Sequence, residues 1–124
     1  MALDALDQDP NTGQIVLISK PPAPEVAVRI AARISDSRKR FTVCFLGAGE
    51  FTHPPNAKPV TTLKAAAEAA LGDVRIGHDF STDAVYRELS PSRCEVRGLY
   101  SGGTLAAEAQ VILRHDGGAA GGAG

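Results

Sequence analysis

The sequence has no excess of charge of either sign: 13 Lys and Arg oppose 14 Asp and Glu, for a formal net charge of −1. With no basic surplus to draw the chain onto nucleic acid or an anionic membrane, neither is expected as a partner. Cysteine is scarce. Cys44 and Cys94 are the two present; they stand far apart, and neither has a Cys or His at metal-ligand spacing, so no metal site is expected. A reducing cytoplasm is the simplest setting for them. Long hydrophobic runs are also missing. Met1 to Pro10 mixes acidic and polar residues with short apolar ones, which is neither the basic-plus-apolar pattern of a signal peptide nor a membrane span. The expected location is cytoplasmic.

What is present is an ordinary globular composition over 124 residues, enough for one small domain. Met1 to Leu6 fits the last turns of a helix, and Asp9-Pro10-Asn11-Thr12-Gly13 is turn chemistry. Ile15 to Ile18 is a continuous apolar run, the mark of a parallel strand covered on both faces, and it stops at Pro21-Pro22 because proline cannot donate to a ladder. Val26, Ala27, Ile30, Ala31 and Ile34 then recur at helical spacing, with Glu25 and Arg29 four apart on the wet side. Phe41 to Leu46 is a second buried-type run. Strand, helix and strand within one crossover length predict a right-handed βαβ unit.

Gly47-Ala48-Gly49 closes the second strand, and Phe51 to Pro59 reads as a proline-rich loop. Thr61 or Thr62 is placed to cap a helix carrying Leu63, Ala66, Ala67, Ala70 and Leu71 on one face, with Gly72 as its left-handed stop. Farther on, Val74 to Ile76 reads as a short strand, Ser81 to Leu89 as a short helix, and Cys94 to Leu99 as a weakly alternating strand. Tyr100-Ser101-Gly102-Gly103-Thr104 opens a last helix with Leu105, Ala109, Ile112 and Leu113 inward. Gly117 to Gly124 holds only Gly and Ala and predicts a disordered tail. With two strongly apolar strands and one firm crossover, the parallel sheet reads as incomplete.

Four stretches taken together carry a family resemblance. They are Ala5 to Thr12, Ile15-Val16-Leu17-Ile18-Ser19-Lys20-Pro21-Pro22-Ala23-Pro24, Val43-Cys44-Phe45-Leu46-Gly47, and Arg97-Gly98-Leu99-Tyr100-Ser101-Gly102-Gly103-Thr104-Leu105. In this order they resemble FdrA-like proteins, acyl-CoA synthetase relatives of the succinyl-CoA synthetase α subunit, and they span nearly the whole chain apart from its tail. The resemblance implies an α/β, flavodoxin-like, three-layer parallel sheet, incomplete here. It divides the chain into a partial CoA-ligase-type domain over 1–93, a strand-turn-helix over 94–116 that begins the next segment, and the tail over 117–124. It further implies acid–thiol ligation or related acyl or carbamoyl transfer, with CoA and a phosphate donor serving the intact protein and no cofactor expected for this chain alone. Implied partners are the remaining enzyme domains or subunits, or further copies of the chain. The competing reading is a non-catalytic subunit or interaction module that completes a partner enzyme.

Carboxyl ends of parallel strands are where ligands settle in open α/β sheets, which puts Ser19, Lys20, Gly47, Ala48 and Gly49 on the working edge. Lys20 there is either a holder of phosphate or carboxylate or a solvated surface charge. Gly47-x-Gly49 lacks the third glycine of a dinucleotide fingerprint, since Thr52 occupies it, and reads as a tight turn as readily as a phosphate loop. Ser101-Gly102-Gly103-Thr104 is the best anion candidate, because small residues at a helix start let an anion approach free backbone N–H groups; plain helix capping is its alternative. Leu99-Tyr100-Ser101-Gly102-Gly103 lacks the first glycine of a hydrolase elbow, so Ser101 is not assigned as a nucleophile. No catalytic residue is assigned.

The synthetases carry a Gly-His-Ala-Gly loop whose histidine is phosphorylated, with an acidic residue after the first strand. Here His53 precedes Pro54 and Lys20 holds the acid's place. Incubation with ATP, or with acyl-CoA and phosphate, should therefore leave His53 unphosphorylated; a phosphohistidine at His53 in mass spectra taken under mild alkaline conditions would overturn that expectation.

Overall fold

The computed structural model describes residues 2–48, 51–72, 74, 77 and 97–115. Within these, β1 (Gln14–Ser19), β2 (Arg40–Phe45) and β3 (Ala57–Val60) form one parallel sheet in that order. Ile15 pairs with Phe41 and Ala57 follows on the other side, so the register continues straight across. Helices α1 (Ala2–Gln8) and α2 (Pro24–Ser35) serve one face, and α3 (Leu63–Ala70) and α4 (Gly103–His115) serve the other. The chain is therefore an α/β three-layer structure, as its strand and helix patterns imply.

β2 is buried on both faces. Phe41, Val43 and Phe45 join Ile15, Ile34 and Ala57 in the first core, against which Leu3, Leu17, Ile30 and Phe51 pack. Cys44 and the following Leu46 point the other way and join Ala66, with Val60, Leu63 and Ala107 around them. Thr42 is the polar member of that second face, and its hydroxyl accepts from Gln14 Nε2 at 3.1 Å. Helix α2 begins with Pro24 in its first turn, where a missing N–H costs nothing, and carries Glu25 early and Arg33 late, both favourable to its dipole.

Several expectations need correction. Ala57 to Val60, which overlaps the end of the Phe51 to Pro59 stretch read as a loop, is a third strand. Pro59 is tolerated because β3 is an outer strand among the described residues, where no outward partner needs its N–H. β1 is not covered on both faces: Val16 is 40% and Ile18 46% exposed, and among the described residues β1 is the other outer strand. Val26, Leu71, Leu105 and Ile112 are exposed rather than inward. In α4 the half-buried positions are Ala106, Ala107, Glu108, Ala109, Val111 and Leu113. Arg97 to Tyr100 carry no regular structure. The remainder of the Cys94 strand, the strand from 74 to 76 apart from Val74, the helix from 81 to 89 and the tail lie outside the described residues. No helix among the described residues is long and apolar enough to cross a membrane.

The amino ends of the strands are closed by polar side chains. Arg33 donates from Nε to Asp4 and from Nη2 to Asp7, both at 2.7 Å, and Ser37 donates to the other oxygen of Asp7. Lys39 Nζ donates to the carbonyls of Leu6 and Asp9 at 2.6 Å. Asp9 anchors the turn into β1, accepting from Asn11 N and Thr12 Oγ1. The Asn56 side-chain Nδ2 donates to the carbonyls of Ile34, Ser37 and Lys39, while the Asn56 backbone carbonyl accepts from Phe41 N at 2.9 Å. One residue thus ties the end of α2 to β2 and to the start of β3.

Asn56→Ala should lower the free energy of unfolding by about 1–3 kcal/mol, the usual cost of stranding partly buried acceptors, measured by urea denaturation. Acid should act on α1. The Arg33 hydrogen bond holds the Asp4 carboxyl below its ordinary range, and hydrogen bonds from Ser37 and then Arg33 do the same for Asp7. Depressed carboxyl pKa values stabilise fully above the ordinary range and lose that contribution as pH falls through the lowered values. Circular dichroism melts should therefore hold steady down to pH ~5 and weaken below ~4, and Arg33→Gln should flatten that acid limb; equal acid slopes in both proteins would exclude the Arg33 clamp.

Candidate functional site

Ser19 ends β1 and its carbonyl accepts from Leu46 N at 2.9 Å, so β1 and β2 run side by side to their carboxyl ends before the chain departs. At β1 the departure is Lys20 followed by Pro21-Pro22, which stops the ladder. At β2 it is Gly47, whose φ of 76° is the left-handed conformation that glycine takes freely, with Ala48 N bonded back to Phe45 O at 3.0 Å.

Helix α4 runs past these two strand ends. At its start, a Cβ on Gly103 would lie 2.8 Å from Lys20 Nζ; one on Gly47 would meet Val111 Cγ2 at 3.9 Å. Gly103 is therefore the residue that lets the ammonium approach the helix start, and Ala or any larger residue there must push Lys20 away. Lys20 and Gly103, 83 positions apart in sequence, thus come together at the carboxyl end of β1, whereas Gly47 at the end of β2 lies against Val111, about two turns farther along α4, and a Cβ on Gly102 would meet nothing within 4 Å. Ser101 and Thr104 flank the helix start and are exposed. Gly49 lies outside the described residues.

The juxtaposition has an electrostatic sense. A helix start carries partial positive charge and N–H groups without intrahelical partners. Placing an ammonium beside it is unfavourable unless an anion lies between them, and an anion in that position is attracted by both. Among the described residues no carboxylate forms an ion pair with Lys20. The arrangement can hold a phosphate or a carboxylate; it offers neither a nucleophile paired with a base nor, among the described residues, a cluster able to hold a metal ion.

The path of the chain favours the same edge. The β1 to β2 crossover covers one face through α2, whereas α3 lies on the other face and contacts β1 as well as β2 and β3. The described strands run β1-β2-β3 in chain order, and the carboxyl ends of such parallel strands are where open α/β sheets take ligands.

A second concavity, a groove of about 760 Å³, lies on the opposite face between α2 and the segment from Phe51 to Pro54. Its floor is Ala27, Ala31 and Phe45, and Phe51 stands edge-on to Phe45 with ring centroids 5.0 Å apart. His53 helps line it and, among the described residues, lies 3.3 Å from its neighbouring Pro54 carbonyl through Nδ1. Two residues escaped the sequence reading: Glu108, whose Oε1 accepts from Leu63 N at 2.6 Å, and Asn56. Neither carries a local sequence signal, since each works through a partner at least 17 positions away.

No protein-family model matches the chain, and no solved structure matches it. The chain is similar to the uncharacterized protein YahF of Escherichia coli (strain K12), with 36% identity over 128 aligned residues that take in 91% of this chain and 24% of that protein. The chain thus spans about a quarter of the length of the curated relative it matches.

Proposed function

We propose that this chain is the flavodoxin-like, CoA-ligase-type part of an FdrA-like acyl-CoA synthetase relative, and that it supplies an anion-binding edge to acyl or carbamoyl transfer performed with further domains or subunits. The observation that carries the reading is Lys20 Nζ beside Gly103 at the start of α4, at the carboxyl end of β1. An acyl phosphate, a carbamoyl phosphate or a carboxylate substrate presents the charge that this edge favours. The four sequence stretches in family order support the reading, as does similarity to a relative about four times as long. Lys20 and the α4 amides would orient the anion and offset negative charge; activation and CoA binding fall to the rest of the assembly.

The exposed apolar side chains of Val16 and Ile18 on an outer strand favour the second reading, an interaction module whose sheet is completed by a partner. Such a module needs no anion at Lys20, so one titration separates the two.

Calorimetric titration with inorganic phosphate and acetyl phosphate should detect binding that Lys20→Ala weakens about tenfold, the scale of one charge-assisted contact. Gly103→Val should weaken it as well, by displacing the ammonium. CoA should bind weakly or not at all. Phosphate binding indifferent to Lys20 would sink the anion edge and leave the interaction module; micromolar CoA affinity would contradict the assignment of CoA binding to other domains.

A further inference from the structure

Helix α4 covers the second core with little apolar weight. Its half-buried face is largely alanine, while its two largest aliphatic side chains toward solvent, Leu105 and Ile112, are 54% and 45% exposed. None of its residues from Gly103 to Arg114 is fully buried, in contrast to Ile34 of α2 and Ala66 of α3. Among the described residues, its polar tie to the rest of the fold is Glu108, which reaches from the middle of α4 to the first N–H of α3. Thr62 caps the same helix start by accepting from Ala65 N at 3.1 Å, so the two side chains satisfy separate donors, and a carboxylate is well placed at the positive end of α3. Beneath this junction lies Cys44, fully buried, clustered with Leu46 and Ala66 and roofed by Leu63 and Ala107.

We propose that α4 is a latched cover: Glu108 on the α3 start holds it closed over Cys44, Leu46 and Ala66, and release of that bond lets α4 swing off the sheet as a unit while β1, β2, β3 and α2 stay folded. Small apolar burial and one charge-assisted bond are the ingredients of a local opening well below the global unfolding free energy. The polar seam at the amino ends of the strands, which fixes α1, α2 and β3, does not involve α4. Opening also carries Gly103 away from Lys20 and Val111 away from Gly47, so the cover controls the geometry of the sheet's carboxyl edge. The latch stands on the Glu108 contact and the packing of α4 alone, and it holds or fails independently of the anion reading.

Cys44 reports the opening. In a chain carrying Cys94→Ser it is the single thiol, and its reaction with an aromatic disulfide reagent is followed by absorbance at fixed pH, across low urea concentrations. The expected result is slow labelling that depends on urea far less than global unfolding does. Glu108→Ala should accelerate it about tenfold or more, as loss of a charge-assisted hydrogen bond implies. Glu108→Gln, which keeps an acceptor oxygen without the charge, should fall between. Three results would overturn the proposal: labelling of the Cys94→Ser chain that follows the full urea dependence of unfolding, a Glu108→Ala rate equal to its parent, or equal acceleration in the Ala and Gln variants, which would mean that only the local charge on the thiol had changed. The first of these reads the unaltered latch and holds even if Glu108→Ala does not fold.

Discussion

Everything described in this chain is arranged around one strand that must be hidden on all four sides. β2 has a hydrogen-bonded neighbour on each edge, and its alternate residues Phe41, Val43, Phe45 and Thr42, Cys44 are buried on opposite faces. A parallel strand cannot be paired by a tight hairpin, so its neighbours arrive only through connections that pass over a face, and those connections supply the covers. α2 is both the link from β1 to β2 and the lid of the first core. α3 and α4 close the second.

The two ends of the sheet are built differently. At the amino end, Arg33, Ser37, Lys39 and Asn56 satisfy carboxylates and carbonyls of α1, α2 and the adjoining turns, leaving a seam of reciprocal hydrogen bonds. At the carboxyl end the chain turns away through Pro21-Pro22 and Gly47, and a lysine meets the start of a helix. Polar groups that satisfy one another stabilise; polar groups that share a sign stand ready for a ligand. The satisfied polar seam therefore lies at one end of the strands, and the proposed anion edge at the other, the end where ligands settle in open α/β sheets. The thiol of Cys44, pushed up by burial and secondarily by the nearby Glu108 carboxylate, lies between the two and is chemically quiet while covered.

Much of the architecture was legible in the sequence because it rests on local pattern. The apolar runs at Ile15 and Phe41, the helical spacing from Val26 to Ile34, the Thr62 cap and the Gly72 stop all became the elements they signalled. β3 was not legible. Ala57-Lys58-Pro59-Val60 has little strand propensity, and it is a strand because β2 offers it a free edge and Asn56 bonds to the end of α2. Exposure of Val16 and Ile18 was equally hidden, since an apolar run does not say whether its strand is central or outer.

The sequence by itself determined the α/β class, the crossover from β1 to β2, and the residue types at the carboxyl edge, since hydrophobic period, proline and glycine act within a few positions of themselves. Only the tertiary structure decided that Lys20 stands against Gly103, that Glu108 caps α3 rather than facing solvent, and that alanines instead of Leu105 and Ile112 form the packed side of α4. Those are choices between surfaces far apart along the chain, and they are fixed by which pairs of faces meet once β2 has been enclosed.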